Sequence, residues 1–100
     1  MPARARYSFE AEVWEQPSTA AWHFVSVPED DADEIEQAFG PTAAGFGSIK
    51  VTVTIGSSRW STSLFPDTKR GTYVLPVKKS VRVAEGLVAG SRPHVEIVIE

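Results

Sequence analysis

The segment from Trp60 to Arg82, WSTSLFPDTKRGTYVLPVKKSVR, constrains the fold of this chain more than any other segment. Its apolar run TYVLPV has the composition of a strand, and Gly71 supplies the turn that leads into it. Pro76 lies between this strand and a short helix that we predict over residues 77–86. The segment also holds five of the ten basic residues, so it combines the clearest structural signal with half of the positive charge.

A β-hairpin is predicted just before this segment and overlaps it. Residues 49–55 alternate strictly, with aliphatic side chains on one face and polar side chains on the other. A short turn over residues 56–58 follows, and residues 59–65 return as the partner strand. The inward positions of the first strand are Ile49, Val51, Val53 and Ile55, and the second strand opposes Trp60, Thr62 and Leu64 to Ser61, Ser63 and Phe65.

The other elements follow from the same periodicities. Alternation predicts strands over residues 7–14, 20–27 and 94–100. Residues 29–40 predict a helix with acidic first turns, ended by Gly40-Pro41, and its apolar stripe consists of Ala32, Ile35 and Phe39. In the second helix, Gly86 fits the left-handed position beyond the helix end, and the predicted buried stripe consists of Val77, Val81, Ala84 and Val88.

Size and composition limit the class of protein. One hundred residues with 42% apolar residues suit one domain, spanning residues 1–100, with a core of its own. The chain has no cysteine, which excludes disulfides and thiol catalysis. The opening MPARARY lacks the apolar run of a signal peptide, and no stretch is long and apolar enough to span a membrane. We therefore expect a cytoplasmic protein, and a monomer.

Charge is distributed unevenly along the chain. Residues 1–48 carry two basic and nine acidic residues, whereas residues 49–100 carry eight basic and four acidic ones. Such asymmetry can indicate a basic face for an anionic partner. The plainer interpretation, which we favour, is that the acidic residues occupy one solvated helix and the two halves interleave in space.

At this point the sequence resembles known families. GTYVLPVKKSVRVAEGLVAG followed by VEIVIE is similar to the strand, proline, short helix, glycine and strand unit of AbrB-type barrels, which include transition-state regulators and MazE-like antitoxins. The chain resembles more closely, over nearly its whole length, a bacterial family known as domain of unknown function 1905. The matching residues are Phe9-Glu10-Ala11, the run 21–25, Pro28, the runs 60–66 and 71–79, Val81-Arg82 and Gly86.

This resemblance carries expectations about the fold but none about activity. It implies a small double-split β-barrel, here of about six strands and two short helices, in which one chain supplies both halves that AbrB-type proteins obtain by dimerising. It implies no substrate and no cofactor. The sequence departs from the family pattern at residues 90–94, GSRPH, where the family turns directly into the last strand.

The sequence contains no catalytic motif. Ser61 and Ser63 lie on a predicted strand, without the G-x-S-x-G elbow that exposes a nucleophile. His23 and His94 are far apart in sequence and form no H-x-x-x-H or H-E-x-x-H pair, so a metal site has little support. We expect a protein that is not an enzyme and has no cofactor, with an unrecognised hydrolase as the remote alternative.

A non-catalytic binding or accessory module is the function that the sequence favours, with an unknown, possibly anionic, ligand or a protein partner. Lys78 and Arg82, at the start of a short helix and near its backbone N–H groups, suggest an anion site. The candidate site residues are Trp60, Ser63, Tyr73, Lys78, Lys79 and Arg82, with the aromatic rings as walls. The alternative for the lysines and arginine is packing over the barrel or pairing with Glu85 and the acidic helix.

Nucleic-acid binding is the main alternative function, by analogy with AbrB-type barrels. A basic patch for it would consist of Lys69, Arg70, Lys78, Lys79 and Arg82. The net charge of −3 opposes this function, as does the expectation that one chain closes its own barrel, because the twofold dimer used to grip DNA would then be missing.

Overall fold

The computed structural model describes residues 4–18 and 22–100 of the chain. In this part of the chain one mainly β body forms, with seven strands and two α-helices. Their bounds are β1 Ala5–Glu10, β2 Trp14–Glu15, β3 His23–Ser26, α1 Glu29–Phe39, β4 Ile49–Ile55, β5 Ser58–Asp67, β6 Thr72–Pro76, α2 Lys79–Glu85 and β7 His94–Ile99. Two short 3₁₀ turns, residues 40–42 and 45–47, lie between α1 and β4.

All seven strands belong to one antiparallel sheet in the order β1-β7-β4-β5-β6-β3-β2. Its two outermost strands, β1 and β2, follow each other in the chain with residues 11–13 between them. A connection of three residues can join the two edges of the sheet only if the sheet curls. The sheet is therefore a curled half-barrel. The double-split arrangement stays a prediction of the resemblance.

The strand that we predicted over residues 7–14 is divided in the structure, and this raises the strand number from about six to seven. Residues 11–13 leave the regular pairing of β1 while the chain crosses from β7 to β3. Backbone hydrogen bonds to the segment 90–94 still hold them, including one from the Ala11 N–H to Pro93 O at 3.3 Å and one from the Val13 N–H to Ser91 O at 2.8 Å. The divergent segment 90–94 thus receives the crossing residues.

The alternation in the sequence identifies the core correctly. The inward residues of β1, β4 and β7 are buried: Tyr7, Phe9, Ile49, Val51, Val53, Ile55, Val95, Ile97 and Ile99. Ala11 and Val13 continue the alternation of β1 and are buried too. On α1, the predicted stripe is confirmed, because Ala32, Ile35 and Phe39 are its buried residues.

The predicted stripe of the second helix is half wrong. Val77 and Val81 are buried, but Val77 precedes the helix, while Ala84 and Val88 are exposed. The reason is the length of α2, which has only seven residues and ends at Gly86 with φ 65°. Beyond that left-handed residue the chain changes direction, so Val88 cannot extend a helical stripe. The second predicted strand is observed as β3, His23–Ser26, and the predicted positions Ala20 and Ala21 lie outside the described residues.

No helix in the described part of the chain is long and apolar enough to cross a membrane.

Candidate functional site

A cavity of about 760 Å³ opens where the start of β3, the middle of β5 and the beginning of α2 meet. We call it the basic cavity. Its position depends on the pairing of β3 with β6, which continues beyond the ladder through a bond from the Val77 N–H to His23 O at 2.9 Å. The residues that line it are Trp22, His23, Trp60, Ser61, Thr62, Phe65, Pro76, Val77, Lys78, Lys79 and Arg82.

The charge of the basic cavity is of one sign. Lys78, Lys79 and Arg82 line it, and among the residues that the structure describes no carboxylate does. Both lysines are exposed, and within the described part of the chain neither forms an ion pair. Arg82 is held in place, because its Nε donates to Val77 O at 3.1 Å. The cavity therefore gathers three cationic side chains, and a hydrogen bond orients one of them.

The position of these cations is set by how α2 begins and ends. Lys78 is the N-cap residue with extended backbone (φ −66°, ψ 157°), and no side chain caps the helix. At the other end, the Leu87 N–H donates to Arg82 O at 2.8 Å, which closes the last turn over Gly86. Seven residues give only a weak helix dipole, so the side-chain cations, and not the backbone N–H groups that we invoked from the sequence, supply the positive charge.

Aromatic side chains form the apolar walls. Trp60 is 9% exposed and belongs to both the core and the cavity wall, whereas Phe65 and Trp22 are 43% and 53% exposed. Two partly exposed aromatic rings at one cavity provide apolar area whose burial against a ligand would be favourable. The cavity thus combines apolar walls with a cationic rim.

Trp22 is the last member of a series of stacked rings that runs along the outside of β2 and β3, which we call the aromatic stack. Trp22 stacks on Phe24 with 6.1 Å between ring centroids and 17° between planes. Phe24 stacks on Trp14 at 4.9 Å and 28°, and the two residues are direct cross-strand partners. The guanidinium of Arg70 lies 3.6 Å from the centroid of Trp14 and closes the far end of the stack.

His23 is the polar residue of the wall that has the most constrained environment. Its side chain is 10% exposed, and Nε2 lies 3.5 Å from Glu15 Oε2. Its Nδ1 is the buried side-chain polar atom of the described residues that has no hydrogen-bond partner. Burial of a polar atom without a protein partner costs folding free energy.

The structure brings together four of the six candidate residues predicted from the sequence. Trp60, Lys78, Lys79 and Arg82 line the basic cavity. Ser63 lies opposite Lys50 on the β4–β5 ladder and lines a neighbouring depression. Tyr73 lines a different cavity. Sequence reasoning did not select Trp22, although its place two residues before Phe24 on one strand face was a usable signal.

The cavity that contains Tyr73 has the opposite charge. It measures about 620 Å³ and is bordered by Asp33, Glu36 and Asp67, and no basic residue from the described part of the chain lines it. Burial raises the pKa of Tyr73, and the nearby Glu36 carboxylate adds to the effect. Acidic and basic residues are therefore separated in space as well as along the sequence. They line two different cavities, an acidic one beside α1 and a basic one beside α2.

The curled sheet and its basic, aromatic-walled cavity define a small β-rich domain with one preformed cationic cavity beside a short helix. A family model matches residues 9–97, and the chain belongs to that family, described as a domain of unknown function (DUF1905). A comparison with curated proteins finds no match.

Proposed function

We propose that this domain is a non-catalytic binding module for a small anionic ligand with an apolar body, and that the ligand occupies the basic cavity. The observation that supports this best is the composition of the cavity wall, in which Lys78, Lys79 and Arg82 meet aromatic rings and to which no carboxylate of the described residues contributes. A volume of about 760 Å³ also falls in the range of small-molecule sites.

The arrangement suits an amphipathic anion for energetic reasons. Charge-assisted hydrogen bonds from lysine and arginine to carboxylate or phosphate oxygens are stronger than neutral ones. Because Arg82 is oriented by Val77 O, part of the ordering cost is met before binding. Apolar atoms of the ligand would meanwhile cover Phe65 and Trp22, whose exposure is otherwise unfavourable.

Two alternatives have less support. A serine hydrolase would need a serine hydroxyl held against an imidazole, but Nδ1 of His23, the ring nitrogen that does not face Glu15, has no hydrogen-bond partner in the described part of the chain. For nucleic-acid binding by analogy with AbrB-type barrels, one of the predicted basic residues is already engaged. Arg70 packs on Trp14 and lies 3.5 Å from Asp67 Oδ2. An electrophoretic shift with random duplex DNA at low salt tests this second alternative directly.

The proposal is tested by isothermal titration calorimetry with 2-naphthoate as the anion and 2-naphthol as its neutral counterpart. We expect saturable binding of 2-naphthoate that weakens at higher salt and that falls at least about fivefold in the K78A/K79A variant. Lys69→Ala, an exposed lysine outside the cavity lining, is the matched control and should bind like the parent protein. Absence of binding, or equal binding by the double variant and the control, would refute the proposal.

A further inference from the structure

We infer that the apolar body of the ligand is a planar aromatic ring that stacks on Trp22 as the next layer of the aromatic stack. This inference rests on the proposed function, because it specifies the class of anion that the basic cavity selects. It concerns the shape of the ligand, which the cationic rim alone does not determine.

The aromatic stack has one closed end and one open end. At the closed end, Arg70 covers Trp14, and the Trp14 indole is fixed further by a bond from its Nε1 to Ser26 Oγ at 3.0 Å. At the other end, Trp22 contacts Phe24 and no further ring among the described residues. Trp22 is the most exposed ring of the stack, with 53% of its surface accessible.

The open end of the aromatic stack lies at the basic cavity. Trp22 lines the basic cavity, so a ring placed against it lies in the same cavity as Lys78 and Lys79. The ring planes of Trp14, Phe24 and Trp22 differ by 28° and 17° at successive steps. These small angles show that the rings stack, and the half-exposed indole of Trp22 is a flat terminal layer, which a planar ring covers more completely than a puckered or extended aliphatic chain. An aromatic carboxylate can therefore stack its ring on Trp22 and place its charge near Lys78 and Lys79.

The main competitor is an aliphatic anion that uses the cavity only as an apolar pocket. The two cases make opposite predictions for a matched pair of ligands, 2-naphthoate and its saturated analogue decahydro-2-naphthoate. The saturated anion has the same charge and nearly the same size but is not planar. If apolar burial alone determined affinity, the saturated anion would bind at least as well as the aromatic one.

The experiment measures the Kd of both anions by calorimetry for the parent protein and for Trp22→Leu and Trp22→Tyr variants. We expect 2-naphthoate to bind about tenfold more tightly than the saturated anion, to lose this preference in Trp22→Leu and to keep most of it in Trp22→Tyr. Because Trp22 is half-exposed, both variants should fold, which circular dichroism checks.

The outcomes separate this inference from the proposed function. Equal affinity for the two anions in the parent protein, or an unchanged preference in Trp22→Leu, would overturn the stacking inference while leaving an anion site intact. Absence of binding by both anions would overturn the proposed function, and the stacking inference with it.

Discussion

The Ser58 hydroxyl donates a 2.6 Å hydrogen bond to Glu85 Oε2. This bond joins the first residue of β5 to the last residue of α2, and so attaches the helix to the tip of the β4–β5 hairpin. Because Arg82 lies on α2 and Lys78 directly precedes it, the same contact helps to hold the cations of the basic cavity in place.

Removing this hydrogen bond should therefore lower the free energy of unfolding and also weaken ligand binding in the basic cavity. We expect Ser58→Ala to lower the free energy of unfolding by about 1–2 kcal/mol, because a short bond to a carboxylate is lost from a partly buried position. Urea denaturation measures the change. Ser57→Ala is the matched control, since Ser57 is an exposed residue of the same turn. Equal stability of the two variants would show that the contact contributes nothing.

Gly56 offers a second test of the same attachment. It has φ 58°, and a Cβ atom there would lie 1.9 Å from Glu85 Oε1, which would force the carboxylate away from Ser58. Gly71 has φ 69° with open space around it, so Gly71→Ala carries the backbone strain alone, about 1 kcal/mol. We expect Gly56→Ala to destabilise the protein by about 1–2 kcal/mol more than Gly71→Ala in urea denaturation. A similar loss of stability in both variants would contradict the predicted collision between a Cβ atom at position 56 and the Glu85 carboxylate.

Replacing His23 should stabilise the protein. We expect His23→Phe to raise the free energy of unfolding by about 1 kcal/mol, because it removes the buried, unpartnered Nδ1 while keeping a planar ring. The lost contact with Glu15 is long, at 3.5 Å, and contributes little. Thermal denaturation provides the measurement, with His94→Phe on an exposed site as the control. A lower melting temperature for His23→Phe would mean that the imidazole has a partner that the structure does not show.

We expect the stability of the folded protein to fall at alkaline pH because of its two tyrosines. Burial raises the pKa of Tyr7, with the Glu34 carboxylate as the next cause, and burial likewise raises the pKa of Tyr73. The unfolded chain therefore loses these protons first, and stability falls as pH rises from about 10 through the higher folded pKa values. We expect the Tyr7→Phe/Tyr73→Phe variant to lose less stability between pH 9 and pH 11, measured as the urea midpoint. An identical loss in both proteins would contradict the assignment.

Much of the fold could be predicted because strand periodicity acts locally. The alternation over residues 49–55 identified the face of β4 that is buried in the core. The spacing of apolar residues identified the buried stripe of α1 in the same way. The division of β1 from β2 was not predictable, since Tyr7, Phe9, Ala11 and Val13 alternate without interruption. Only the curl of the sheet, which brings one chain to both edges, separates them.

The site could be predicted only in part, for a related reason. Lys78, Lys79 and Arg82 lie close together because they share the start of one helix, which the sequence indicates. Tyr73 and Ser63 are near them in sequence, but the first lines the acidic cavity and the second pairs with Lys50. Local alternation places Trp22 on the same strand face as Phe24, but its place in the cavity wall depends on the register of β3 against β2 and β6, which is a long-range property.

The central claim is that an aromatic anion enters the basic cavity, and ¹H–¹⁵N chemical-shift mapping with 2-naphthoate tests it most directly. The account predicts saturable shifts concentrated on the Trp22 and Trp60 indole N–H groups and on the backbone amides of Lys78 and Lys79. Shifts that are absent, or that cluster around Tyr73 and Glu36 in the acidic cavity, would contradict it.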